Sequence, residues 1–330
     1  MAKTVLESFD EFMSNCVNLD KEVVAAARKS RDNLLENISE FVDEDFFKLC
    51  SDYNVHFGSF ARKTKCRELD DIDLMIGISA EGALYNNFDK WDDVHIIASQ
   101  TSAAQIACTR NDGTLNSTQV VNLFKSKLQH VREYSHSDIR KDHEAIVLNV
   151  LSKVWSFDIV PCFYTVPDAD GRSNYLIPNG KGQWKKTNPK IDGERISYIN
   201  QQQEGRALSL IRLVKYWCKH SVSVTIPSYY LEALVLCFCE NHLVDKYIDT
   251  AFQDVVNYIQ YHIYDYIADP KGIQGNINTL EIAQMQLLRQ RAQEAYSNAC
   301  KAEEYEDAGH IEMAIDCWGR IFGNAFPKYK

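Results

Sequence analysis

The sequence predicts an α+β fold, a mixed α/β N-terminal half followed by an all-helical C-terminal half, and three observations carry it. Short apolar runs of strand character fall at Tyr53–Phe57, Ile72–Ile78, Ala145–Leu151 and Val154–Cys162. From Asp192 onward apolar residues recur at helical spacing to the end of the chain. At 330 residues and 45% hydrophobic, the chain can bury one large core or two smaller ones. The boundary is placed between two domains, 1–190 and 191–330, with a cleft between the lobes as the natural ligand site.

Taken in order, residues 5–48 read as helices: Val23, Val24, Ala27, Leu34, Leu35, Ile38, Phe41 and Val42 recur at helical spacing, with Asn18 or Asp20 as a cap. The first two strands follow, then a helix over Val94–Gln105 or Thr118–Leu128, then the other two strands. Between 165 and 190, Pro167, Pro178 and Pro189 with Gly171, Gly180 and Gly182 exclude a long helix; Tyr175, Leu176, Ile177 and Trp184 make this an ordered loop region rather than a linker. The helical half reads as Arg195–His220, Ser228–His242, Tyr247–Ala268, Leu280–Ala308 and His310–Phe322. Pro227-Ser228 is a helix start, and Gly272 and Gly275 mark a break.

A net charge of −10 and a pI of about 5.4 argue against a chain built to coat nucleic acid, since phosphate binding needs dense Lys and Arg. The N-terminus lacks a signal pattern and no apolar run approaches ~18 residues, so a cytoplasmic protein without a membrane segment is expected. Ten cysteines without a CxxC pair read as reduced, packed thiols. Cys237, Cys239 and His242 form the one Cys/His cluster, but they lie in or beside the apolar run Leu231–Cys239, and packing is the expected role rather than zinc.

The chemistry is concentrated in Gly58-Ser59 and Asp71-Ile72-Asp73. A Gly-Ser turn between a strand and a helix offers backbone N–H groups to phosphate. On a strand, residues i and i+2 share a face, so Asp71 and Asp73 project together while Ile72, Leu74, Ile76 and Ile78 face a core; Asp70 turns away. Two-metal phosphoryl chemistry asks for a third carboxylate from a neighbouring strand. Asp158, a lone acid in the apolar run Trp155–Pro161, is the candidate; the alternative is an edge strand with Asp158 in solvent. Asp71 and Asp73 would hold both metals and the donor triphosphate, and Asp158 the metal near the acceptor hydroxyl, whose proton it would help remove.

The ordered set Gly58-Ser59, Asp71-Ile72-Asp73 and Asp158 resembles the core pattern of the polymerase-beta-like nucleotidyltransferase superfamily. Leu210–Trp217 followed by Pro227–Glu232 resembles the helical domain of the oligoadenylate synthetase and cyclic GMP–AMP synthase group. Tyr175–Asn179, Trp184, Thr187–Pro189 and Trp318–Gly323 are similar to the bacterial CD-NTases of anti-phage (CBASS) signalling. The resemblance spans roughly Phe9 to Phe326 and implies a nucleotidyltransferase core followed by a helical domain, with the active site in the cleft. It implies Lys215 and Ser228 as contacts to the donor triphosphate, two Mg²⁺ ions (or Mn²⁺) on Asp71, Asp73 and Asp158, and ATP or GTP as substrates. The implied reaction is condensation of NTPs into a cyclic di- or trinucleotide with release of pyrophosphate. A monomer with a possible regulatory partner protein is expected.

Two departures stand out. Lys63 occupies a position where the family often has Gly, so it alters the turn or adds a phosphate contact. A His/Cys zinc insertion is absent, so activation by double-stranded DNA is not expected. The basic run Arg62, Lys63, Lys65 and Arg67 is either a solvated loop or a phosphate-facing one. Among the aromatics, Tyr175, Trp184 and Tyr229 are the candidates to stack on bases. Two rival readings are a transferase acting on RNA, protein or a small molecule, and a nucleotide-binding scaffold without catalysis.

Overall fold

The protein is described by a computed structural model over residues 3–330. The chain divides into two compact units: one comprises Met1–Lys21, Lys63–Glu68 and Glu194–Lys330, the other Glu22–Arg62 and Leu69–Gly193. The expected cut at 190/191 lies three residues from the Gly193/Glu194 border, but the N-terminal helix and the short Lys63–Glu68 segment group with the helical unit.

The elements run α1 (Val5–Phe12), a π-helical turn (Met13–Val17), α2 (Lys21–Ser39), β1 (Val55–Phe57), α3 (Gly58–Ala61), β2 (Asp71–Gly77), β3 (Leu84–Tyr85), β4 (Ile96–Ile97), α4 (Ala103–Ala107) and α5 (Ser117–Gln129). They continue with β5 (Asp138–Asp142), β6 (Ala145–Asn149), β7 (Ser156–Tyr164), β8 (Tyr175–Pro178), β9 (Trp184–Thr187), α6 (Pro189–Gln202), α7 (Arg206–Ser221), α8 (Ser228–Asn241), α9 (Ile248–His262), α10 (Ile282–Asp307) and α11 (Ile311–Phe322).

The α/β unit is built on a sheet ordered β1-β2-β7-β6-β5, with β8 on β7 and β9 on β8. Only β2 and β7 run parallel; the other pairs are antiparallel. Both central strands are apolar beyond their first residues: Ile72, Leu74, Met75 and Ile76, with Phe157, Ile159 and Val160, are each at most 2% exposed. Burial on both faces explains why these runs read as continuously hydrophobic. The helix expected between the strands is α5, the second of the two alternatives. Asn116 caps it by accepting from the Thr118 N–H at 3.0 Å, and Val120, Val121, Phe124 and Leu128 line its buried face.

Three expectations are corrected. Residues beyond Ser39 leave the helix because Phe46 and Phe47 are both buried against Phe124. Adjacent residues of a helix point about 100° apart and do not readily share one neighbour. The 165–190 loop region holds the antiparallel pair β8–β9, joined by Gly180 and Gly182 at φ +78° and +94°. The single helix expected over Arg195–His220 is two, α6 and α7, separated at Glu204 and Gly205, which take φ +53° and +88°.

In the helical unit, α1 inserts its aromatic face into the bundle. Phe9 is fully buried, with its ring 4.9 Å from Trp318, 5.9 Å from Phe322 and 5.1 Å from Phe326; Phe12 meets Tyr216 edge-on at 5.0 Å. This packing is why the first residues join the helical unit although they lie far from it in sequence. Among the described residues, no helix is long and apolar enough to cross a membrane. Phe9→Ala is expected to lower unfolding stability by about 3–5 kcal/mol in chemical denaturation, as loss of a buried aromatic does; a loss below about 1 kcal/mol would show that α1 is not part of that core.

Candidate active site

Asp73 on β2 stands directly beside Asp158 on β7 in the parallel register, and Asp71 stands beside Ser156. Alternation on β2 sends Asp71 and Asp73 to one face at intermediate burial while Ile72 and Leu74 are buried. The three carboxylates each offer an oxygen, and these oxygens all lie within 4.8 Å of one another. β7 is flanked by β2 and β6, so the edge-strand alternative for Asp158 does not hold. Asp70 precedes the strand and is exposed; its carbonyl accepts from the Ser156 N–H at 2.9 Å, which fixes the start of the parallel pairing.

Gly58 completes the arrangement. It takes φ +71°, and a Cβ placed there would lie 1.6 Å from Oδ2 of Asp73. No side chain fits at 58 while the Asp73 carboxylate holds its position, so glycine is required both by the backbone and by the close approach. Ser59 follows on α3, half-buried beside Asp73's strand partner β1.

Unit charges at this separation repel by at least about 3.5 kcal/mol per pair at an effective dielectric of about 20. Three pairs at that cost are offset when a divalent cation lies among them. The donor set is oxygen only, with no His or Cys in the group, which suits Mg²⁺ or Mn²⁺ rather than zinc. The residues present therefore fit the expected metal. Cys237, Cys239 and His242 form no such group: Cys239 is buried, Cys237 lies 3.8 Å from an Arg195 nitrogen, and His242 stacks on Phe238.

Lys215 and Ser228 belong to the helical unit. Lys215 projects from α7, and its Nζ donates to Oε1 of Glu232 on α8 at 2.7 Å, with the two side chains 9% and 3% exposed. It is neither on a solvated helix face nor alone. Ser228 is exposed at the first position of α8, after Pro227. Glu232 was not singled out from sequence. The available signal was an acid at the start of an apolar helical run, four residues after Ser228, where an unpaired charge would be costly.

The basic run resolves into separate roles. Lys63 is held at φ +61°, the left-handed region glycine favours, and its carbonyl accepts from Arg212 Nη1 at 2.7 Å. Arg67 donates to the carbonyls of Asn18 and Ser14 at 3.0 and 3.4 Å, so it anchors backbone instead of facing phosphate. Burial pushes the Cys66 thiol up, which keeps it protonated to donate to the Arg212 carbonyl at 3.2 Å. Of the stacking candidates, Tyr175 and Trp184 are fully buried, the latter donating from Nε1 to Leu115 at 3.0 Å, and are core residues. Tyr229 is half-buried, its hydroxyl held by Lys271 and Asp269.

No family model matches the chain. It is 38% identical to a protein of Bacillus cereus named "Probable cyclic nucleotide synthase", over the whole of both chains. It is 23% identical to the cyclic AMP-AMP-AMP synthase of an Acinetobacter species, over 60% of this chain and 58% of that one. Among solved structures it is similar to Escherichia coli CdnC with ATP, with a TM-score of 0.71 at 17% identity and 98% of each chain covered. CdnC has also been solved in complex with HORMA-deltaN, and that structure matches with a TM-score of 0.71 at 15% identity. With a full-length relative at this identity, an acidic triad on adjacent parallel strands and a matching fold, the chain belongs to the bacterial CD-NTases, a family of nucleotidyltransferases.

Proposed function

We propose that the protein condenses NTPs, ATP or GTP, into a cyclic di- or trinucleotide with release of pyrophosphate, as a signal in bacterial anti-phage defence. The single observation that supports this reading most is the triad of Asp71, Asp73 and Asp158, whose carboxylate oxygens gather within 4.8 Å on paired strands. Asp71 and Asp73 would hold divalent ions beside the donor triphosphate. When bound there, Mg²⁺ would supply Lewis-acid polarisation of the attacking hydroxyl and charge stabilisation of the leaving group. Asp158 accepts the proton of the ribose hydroxyl as the hydroxyl oxygen bonds to the α-phosphorus and the bond to the pyrophosphate oxygen breaks.

The turn at Gly58 and Ser59 supports the outer phosphates, with N–H groups of the kind that bind anions at a helix start. Lys215 supplies a point charge to the triphosphate, and Ser228 a hydroxyl at the start of α8. CdnC's complex with HORMA-deltaN supports a regulatory protein partner for this chain also. Full turnover by the purified chain alone would argue against such a partner.

Incubation of purified protein with all four NTPs and Mg²⁺ or Mn²⁺ should yield a phosphatase-resistant nucleotide, identified by mass spectrometry. Asp73→Asn is expected to lower the yield by at least about a hundredfold, in line with loss of one electrostatic stabiliser. Only linear polymer, a labelled macromolecule or no nucleotide turnover would count against cyclic synthesis. Gly58→Ala adds a methyl that displaces the Asp73 carboxylate; misplacement of about 1 Å costs about a hundredfold in rate. That variant should remain folded by circular dichroism yet lose turnover, whereas turnover equal to wild type would show that the Gly58–Asp73 approach does not position the site.

A further inference from the structure

Glu232 is the one carboxylate in the buried face of α8, 2% exposed in a helix otherwise packed by Tyr230, Leu231, Leu234, Val235 and Phe238. An isolated charge there would be expensive, and Lys215 Nζ meets it at 2.7 Å. Buried ion pairs of this kind give little net stability compared with well-packed apolar residues of the same volume. The pair therefore calls for a reason other than folding.

The spacing supplies one. Glu232 lies four residues after Ser228, so the two share a face of α8 one turn apart. Side chains on a helix lean toward its N-terminus, which carries the Glu232 carboxylate, and with it the Lys215 ammonium, over the turn that Ser228 opens. That turn has no side-chain cap. The first N–H groups of a helix have no intrahelical partner, and its N-terminal end is positive. An ammonium has three donors, of which Glu232 takes one and leaves two to point elsewhere. Lys215 is long and flexible; without a fixed partner it loses rotamer entropy each time it orders on a ligand.

We propose that Glu232 is a positioning residue: it holds Lys215 against the start of α8, so that the ammonium and the Ser228 turn act together on a polyphosphate. This rests on the reading that Lys215 contacts the donor triphosphate. Glu232 itself touches no phosphate, since its like charge would be repelled.

The test is a double-mutant cycle on nucleotide affinity. A non-hydrolysable ATP analogue with Mg²⁺ is titrated into wild type, Glu232→Gln, Lys215→Met and the double variant, with each fold checked by thermal melting. Glu232→Gln keeps the shape but loses the charge, and Kd should rise about tenfold, the low end for a hydrogen bond to a charged group. In the Lys215→Met background the same change should add nothing, since a positioning residue for Lys215 acts on the nucleotide through it. Wild-type affinity in Glu232→Gln with weakened binding in Lys215→Met would overturn the inference and leave the triphosphate reading standing. Wild-type affinity in Lys215→Met would overturn the triphosphate contact itself and the inference with it. An equal loss from Glu232→Gln in both backgrounds would show a structural role independent of Lys215, and also overturn it. Should Glu232→Gln fail to fold, Glu232→Asp retains the charge but withdraws it by one methylene, and is expected to weaken binding through the same cycle.

Discussion

The parallel pairing of β2 with β7 is the constraint on which the rest depends. It sets Asp73 beside Asp158, and alternation then adds Asp71 to the same face. Ionised carboxylates so close repel one another. They are held by what lies behind them: Ile72, Leu74, Phe157 and Ile159, all but completely buried, fix the register of both strands. A slip of one residue would turn the acids into the core and the apolar residues out, a far larger penalty than the repulsion it relieves. The hydrophobic core thus holds the three acids together on one face of the sheet.

The same economy of space governs the Gly58 turn. The Asp73 carboxylate occupies the volume that any side chain at 58 would need, so the Gly58 turn and the acidic strand β2 are fitted to each other. Five residues later the backbone again takes a left-handed conformation, now at Lys63, where an L residue costs about 1–2 kcal/mol relative to its preferred region. The Arg212 bond to the Lys63 carbonyl offsets part of this. The sequence left open whether Lys63 altered the turn or added a phosphate contact; the backbone there lies in the left-handed region that glycine favours.

Much of the site was legible because it rests on period-two alternation and on the cost of burying a lone acid. Those two rules were enough to pick Asp71, Asp73 and Asp158 and to set Asp70 aside. Strand content was harder to read where glycine and proline were dense. β8 and β9 hide among those residues, because two positive-φ glycines that look like breakers in fact close a strand pair. Trp184 and Tyr175 looked available for stacking because aromatic residues serve equally as core and as base platform, and only burial tells them apart. Glu232 escaped notice because its meaning lies in a partner on another helix, which local sequence does not encode.

The proposed role of Asp71, Asp73 and Asp158 is to form one divalent-metal centre. Anomalous diffraction from crystals grown with Mn²⁺ and a non-hydrolysable NTP tests it most directly. Two peaks about 3.5–4 Å apart, both ligated by Asp71 and Asp73 and one of them by Asp158, are predicted. Peaks on the phosphates alone, or an ordered triad with no manganese among its oxygens, would rule out such a centre.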